Sequence, residues 1–205
     1  MTRMRAFRDA VGDWARGGPG GPASDGAVRL GVRTAVLLEG LSDLAAVETL
    51  AARQGRDLSA EGVCVVPMGG AMSVGRYAEL LGPPGLGLRL AGLCDERERG
   101  FFDRGFARAR APHGDVFVCA ADLEDELIRA VGTARVEEIV RDEDDLRAWQ
   151  TFLHQPAHRD RPREQQLRRF LGTRKGRKIR YGHLLVEALG PEQVPAPLRG
   201  LLDSL

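Results

Sequence analysis

Four short apolar runs constrain this chain more than any other feature: RTAVLLEG (33–40), GVCVVPM (62–68), LRLAGLCD (88–95) and DVFVCAAD (115–122). They lack the apolar–polar alternation of a strand that faces water on one side. Between and after them lie amphipathic segments: SDLAAVETLAARQG (42–55), MSVGRYAELL (72–81), a stretch through GFFDRGFARAR (100–110) and DLEDELIRAVG (122–132). In the first of these, Ser42 is expected to cap the helix, Leu44, Val47 and Leu50 to face inward, and Gly55 to stop it. Strands alternating with helices imply βα crossovers, and hence an α/β fold with four parallel strands covered by helices on both faces.

Residues 17–26, GGPGGPASDG, combine glycine and proline so densely that a flexible joint is expected there, after a short N-terminal helix. This divides the chain into an N-terminal helix and linker (1–27), an α/β core (28–135) and a helical extension with a basic segment (136–205). Helices in the extension are expected around 143–153, 162–171, 178–189 and 191–204, packed at one end of the sheet. A chain of 205 residues suffices for one such domain. It has no apolar run near the ~20 residues that a bilayer span needs and no secretion signal, so it is expected in the cytoplasm, away from membranes. Cys64, Cys94 and Cys119 lie in or beside apolar runs without metal-ligand spacing and read as buried thiols. His113, His154, His158 and His183 are scattered, and Pro156 interrupts the one pair with helical spacing.

Net charge is only +1, but its distribution is uneven. Asp122 to Asp145 holds ten acidic side chains against three arginines, and Arg159 to Arg180 holds ten basic ones against Asp160 and Glu164. Two separate electrostatic surfaces are expected.

Ligands of open α/β sheets bind outside the carboxyl ends of the strands. At those ends stand Glu39, Asp95 and Asp122, with Asp43 and Glu124 close behind in the following helices. Helix dipoles account for Asp43 or Asp122 alone. They do not account for Glu39 closing one buried strand while Asp95 closes another. Five carboxylates on one rim repel each other unless a cation compensates, and a hard divalent ion suits oxygen donors.

Glu at the end of a first strand, a following Gly, SD opening the next helix and an Asp ending a later strand together resemble the TOPRIM domain. The fuller pattern, VLLEGLSDLAAVETLA, VVPMGGAMSVGRYAELL, LCD and DLEDEL, is most similar to the TOPRIM portion of the OLD (overcoming lysogenization defect) family of nucleases, where it follows an ABC-type ATPase domain. The resemblance covers roughly residues 33–130 and extends more weakly to about 190. It implies a TOPRIM core, Mg²⁺ or Mn²⁺ as cofactor, and DNA as substrate. One metal site would be formed by Glu39, Asp43, Asp122 and Glu124, and Asp95 is the first residue of the family's Asp-x-Asp pair. The second position of that pair is Arg97, which cannot ligate a cation, so a second site would require Glu96 or Glu98 to take its place.

Arginine supplies nearly all positive charge, and the only lysines are Lys175 and Lys178. The resemblance implies a catalytic lysine downstream of the acidic motifs, a position that Lys178 suits best and Lys175 next. Arg168, Arg169, Arg174, Arg177 and Arg180 around them are expected to form a positive wall along a phosphate backbone. PMGG (67–70) lacks the spacing of a nucleotide-binding loop and reads as a tight turn. No ATP site is visible in the sequence. Candidate partners besides DNA are therefore a separate ABC-type ATPase and a second copy of the chain. The expected activity is metal-dependent DNA nicking or cleavage. The alternatives are a non-catalytic TOPRIM module that binds nucleic acid or an ATPase, and a nucleotidyl or phosphoryl transferase.

Overall fold

The computed structural model describes residues 3–111 and 115–205, apart from the side chain of Lys175; His113 lies outside the described residues. The chain opens with α1 (Arg3–Ala15) and α2 (Gly21–Leu30), then runs β1 (Thr34–Leu38), α3 (Leu41–Arg53), β2 (Val63–Pro67) and α4 (Val74–Leu81). Next come β3 (Arg89–Asp95), α5 (Arg99–Arg108), β4 (Asp115–Cys119) and α6 (Leu123–Val131). The remainder is helical: α7 (Thr133–Asp142), α8 (Leu146–Leu153), α9 (Pro156–Arg159), α10 (Arg163–Leu171), α11 (Lys175–Ala188) and α12 (Ala196–Asp203). Short 3₁₀ turns precede α4, α5 and α12.

The sheet is wholly parallel, in the order β2-β1-β3-β4. Its alternating side chains feed two cores, which explains why the strands read as continuous apolar runs. Val36, Leu38, Val63, Val65, Ala91 and Leu93 pack against α3, α6 and the helices of the C-terminal third. Ala35, Leu37, Cys64, Val66, Leu90 and Cys94 pack against α1, α2, α4 and α5. All three cysteines are free and buried. No helix among the described residues is long and apolar enough to cross a membrane.

Several expectations need correction. The expected flexible joint is a helix over most of its length: only residues 17–20 are non-helical. Proline in its first turn suits helix geometry, and the buried Ala23 and Ala27 dock α2 beside α1. The core therefore begins well before Val28, at Met4, Phe7 and Val11. The C-terminal helices cover one face of the sheet rather than one end, and α7 is an additional helix before residue 143. Gly40, not Ser42, caps α3, and Ser42 is buried in its first turn.

The charge blocks do not form separate surfaces. They pair with one another across the helical layer: Arg163 with Glu137, Arg168 with Asp122, Arg177 with Asp145, Lys178 with Glu124, and Arg180 with Glu143 and Asp145. A sequence-local count of charge could not see these partners, which lie 26 to 54 residues apart along the chain.

Candidate metal centre

Parallel strands of matched register end together, and the carboxyl end of this sheet carries the acids. Leu38 lies opposite Leu93 of β3, so Glu39 emerges beside the last residues of that strand, and Asp95 lies opposite Cys119 of β4. Glu39 is fixed from its backbone: the N–H groups of Gly69 and Gly70 both donate to its carbonyl oxygen, at 2.9 and 3.0 Å. Those glycines have φ of 77° and 133°, where a side chain would be strained. PMGG is thus a tight turn, and it holds the first acid in place.

Beyond Asp95 the chain makes one 3₁₀ turn, Glu96–Glu98, before α5. That turn leaves Glu96 and Arg97 exposed and returns Glu98 to the rim. One carboxylate oxygen from each of Glu39, Asp95 and Glu98 lies within 4.8 Å of the others. Burial, reinforced by Asp122, Glu39 and other acids, pushes Asp95 up to about 7. Burial, with the hydrogen bond and charge of Glu39, does the same to Glu98. Oε2 of Glu98 is buried with no hydrogen-bond partner among the described residues. Three crowded oxygen donors, only partly offset by the Lys178 charge near Glu98, with an unused acceptor fit a hard divalent cation.

The other expected ligands group differently. Asp43 accepts a hydrogen bond from the Gly40 N–H at 2.8 Å, and burial together with Glu124 raises it to about 7. Asp122 caps α6 by accepting from the Asp125 N–H at 2.8 Å, while its other oxygen accepts from Arg168 Nε at 2.5 Å. Glu124 is 4% exposed and lies 3.3 Å from Lys178 Nζ. Burial raises Glu124 above the usual glutamate range despite that lysine. The expected quartet of Glu39, Asp43, Asp122 and Glu124 is therefore revised. Among the described residues the acids that converge closely enough to hold one ion are Glu39, Asp95 and Glu98, with Asp43 and Glu124 gathered beside Lys178.

Burial opposes the Lys178 ammonium, but Glu124 and Asp43 outweigh it and hold its pKa above the usual lysine value. Its placement depends on α11 crossing close over α3. One turn after Lys178, a Cβ on Gly182 would meet the Ser42 carbonyl oxygen at 2.6 Å. Lys175 is the first residue of α11, and its side chain lies outside the described residues.

The expected arginine wall is largely committed elsewhere. Arg177 is buried, its guanidinium 4.1 Å from the centroid of the Phe170 ring and hydrogen-bonded to both oxygens of Asp145. It belongs to the core rather than to a DNA-facing surface, which corrects its expected place. Arg180 is tied to Glu143 and Asp145, and Arg168 to Asp122. Arg169 and Arg174 are exposed.

Sequence reasoning missed the opposite side of the site. A cleft of about 1080 Å³ runs from Glu39, Asp43 and Lys178 to the face of α1, where Arg5, Arg8 and Arg16 line it. Helical spacing of those arginines was the available signal.

A four-stranded parallel sheet, with acids at its carboxyl rim and helices on both faces, is an α/β architecture of the TOPRIM kind. Residues 32–96 match the family model described as overcoming lysogenization defect protein-like, TOPRIM domain. Among solved structures, the C-terminal region of the Burkholderia pseudomallei OLD protein superposes with a TM-score of 0.64 at 20% identity, covering 84% of this chain and 96% of that one. The C-terminal region of the Xanthomonas campestris pv. campestris OLD protein, phased with iodine, does so with a TM-score of 0.62 at 24% identity, covering 84% and 93%. No curated protein matches the chain.

Proposed function

We propose that this chain is a DNA endonuclease dependent on Mg²⁺ or Mn²⁺, nicking or cleaving phosphodiester bonds without strong sequence preference. The observation that carries this reading is the convergence of Glu39, Asp95 and Glu98 within 4.8 Å at the carboxyl rim of the sheet. Arg97 in the Asp-x-Asp position favours a module that binds without cutting, but Glu98 restores the missing carboxylate one residue later.

In this reading Glu39, Asp95 and Glu98 hold the cation, which when bound supplies Lewis-acid polarisation of a phosphoryl oxygen. The Gly69–Gly70 turn keeps Glu39 aimed at the rim, so the donor set is organised before substrate arrives. Lys178, protonated beside Glu124 and Asp43, offers its ammonium to the charge that develops on the phosphate, or a proton to the leaving oxygen. Arg168 draws Asp122 toward α10 and so leaves Asp122 outside the convergent set.

The test is nicking of supercoiled plasmid by the purified chain with Mg²⁺, Mn²⁺ or EDTA, beside Glu39→Ala and Glu98→Gln. Metal-dependent relaxation should appear in the parent and fall by about 100-fold or more in both variants. A parent that neither nicks plasmid nor binds Mn²⁺ by calorimetry would sink the reading, and full activity in Glu98→Gln would return the second ligand position to another acid.

A further inference from the structure

We propose that the face of α1 is the second wall of this site and binds the phosphate backbone of the DNA strand lying in the cleft. The proposal rests on the nuclease reading and adds a part of the chain that precedes the TOPRIM core. Arg5, Arg8, Gly12 and Arg16 recur at intervals of three, four and four residues, so they form one stripe along the helix, and all four line the cleft that contains Glu39, Asp43 and Lys178. From Arg5 to Arg16 the stripe spans about 16 Å, the length of several nucleotide steps at about 3.4 Å each.

The middle arginine is built into the wall. Arg8 bonds through Nη2 to Glu48 of α3 at 2.5 Å, which fixes its guanidinium between the two helices. Its Nε is buried and has no hydrogen-bond partner among the described residues. A buried guanidinium N–H without an acceptor is uncommon; the side chain as a whole keeps 17% of its surface exposed, and that part is open to a charge-assisted bond with a phosphate oxygen. Gly12 carries no side chain at the centre of the stripe, and the Arg16 guanidinium folds back over it, its Nη1 3.3 Å from where a Cβ would stand.

Asp9, Asp13 and Glu48 line the same wall, so it is not uniformly positive. Arg16 and Asp13, however, pair at 2.6 Å while both remain about two-thirds exposed. Exposed pairs of this kind contribute little and give way to a better anion. On the other side of the molecule Arg168, Arg177 and Arg180 are paired with acids, and Arg169 and Arg174 are exposed.

The test is fluorescence anisotropy of a labelled DNA duplex with the full chain in Ca²⁺, over a series of salt concentrations, for the parent and the double variant Arg5→Gln/Arg16→Gln. Both residues are exposed, so the fold should persist, and circular dichroism checks this. Affinity should fall by about tenfold or more, and the slope of log K against log salt should become shallower by about 1.8, for two lost phosphate contacts. Calorimetric Mn²⁺ binding should be unchanged. Arg8→Gln should weaken the duplex in the same direction. Parental affinity and slope in the double variant would overturn the proposal while leaving the nuclease reading intact. A parent that binds Mn²⁺ but no duplex would overturn both the α1 wall and DNA as the substrate.

Discussion

Two groups of ionised side chains in this molecule are built on opposite principles. Around Asp145, Arg177 donates to both carboxylate oxygens at 2.8 and 3.1 Å, Arg180 adds a bond at 2.5 Å and the Tyr181 hydroxyl another at 3.2 Å. The hydrogen bond from Arg177, with the charges of both arginines, holds the Asp145 carboxyl below the usual range. At the sheet rim, Glu39, Asp95 and Glu98 crowd one another, the Lys178 charge only partly offsets Glu98, and Asp95 and Glu98 are pushed up to about 7. The first group is satisfied within the fold. The second is left in deficit, and such a deficit is tolerable when something from outside fills it.

The comparison can be broken most forcefully at Asp145. Asp145→Ala leaves Arg177, whose side chain is 5% exposed, without its counter-charge. The expected loss is about 3–5 kcal/mol in urea denaturation, with Mn²⁺ binding by the native protein unchanged. A loss near zero would mean the arginines find water instead and the group is not a structural hub.

A smaller effect is expected at the junction of α3 and α11. Gly182→Ala drives a methyl group into the Ser42 carbonyl and should cost about 1–3 kcal/mol. Because Lys178 sits one turn earlier, plasmid nicking should fall while Mn²⁺ affinity is retained. Equal losses of both would show that the junction shapes the rim itself.

The smallest effect has the opposite sign. Asp95 rises from 3.8 to about 7 on folding, so its contribution to stability is fully present below pH 3.8 and is lost as pH rises through 7. Asp95→Asn removes that loss. In EDTA at pH 8 the variant should be more stable than the parent by about 1 kcal/mol, a discounted figure because the group is partly solvated. The gap should close toward pH 4 in a Tm series. Asp145 behaves conversely: its contribution is present above pH 3.8 and fades as pH falls through its lowered value. A variant less stable than the parent at pH 8 would mean the rim is already compensated.

The strands were legible because β1, β2 and β3 are buried on both faces and β4 is half-buried along an apolar run, and the rim acids because each follows an apolar run directly. Glu98 was legible only as a substitute for Arg97, since it takes a 3₁₀ turn to bring the third residue after Asp95 back to the rim. The helix α2 was hidden by its glycines and prolines: composition argues for a joint, whereas packing of Ala23 and Ala27 beside α1 decides for a helix. The arginine wall misread most plainly. Arg168, Arg177 and Arg180 find their acids in segments well upstream, and no local spacing announces such pairing.

The close crossing of α11 over α3 also orders the assembly of the site in time. Glu39 and Lys178 are 139 residues apart along the chain, and domains emerge from the ribosome N-terminal end first. The three carboxylates are all made by residue 98, whereas the lysine enters the site only after α11 has been synthesised and the longest loop in its assembly has closed. A nascent chain thus acquires the three rim carboxylates long before the ammonium that would act with them, and the last third of the chain completes the proposed site.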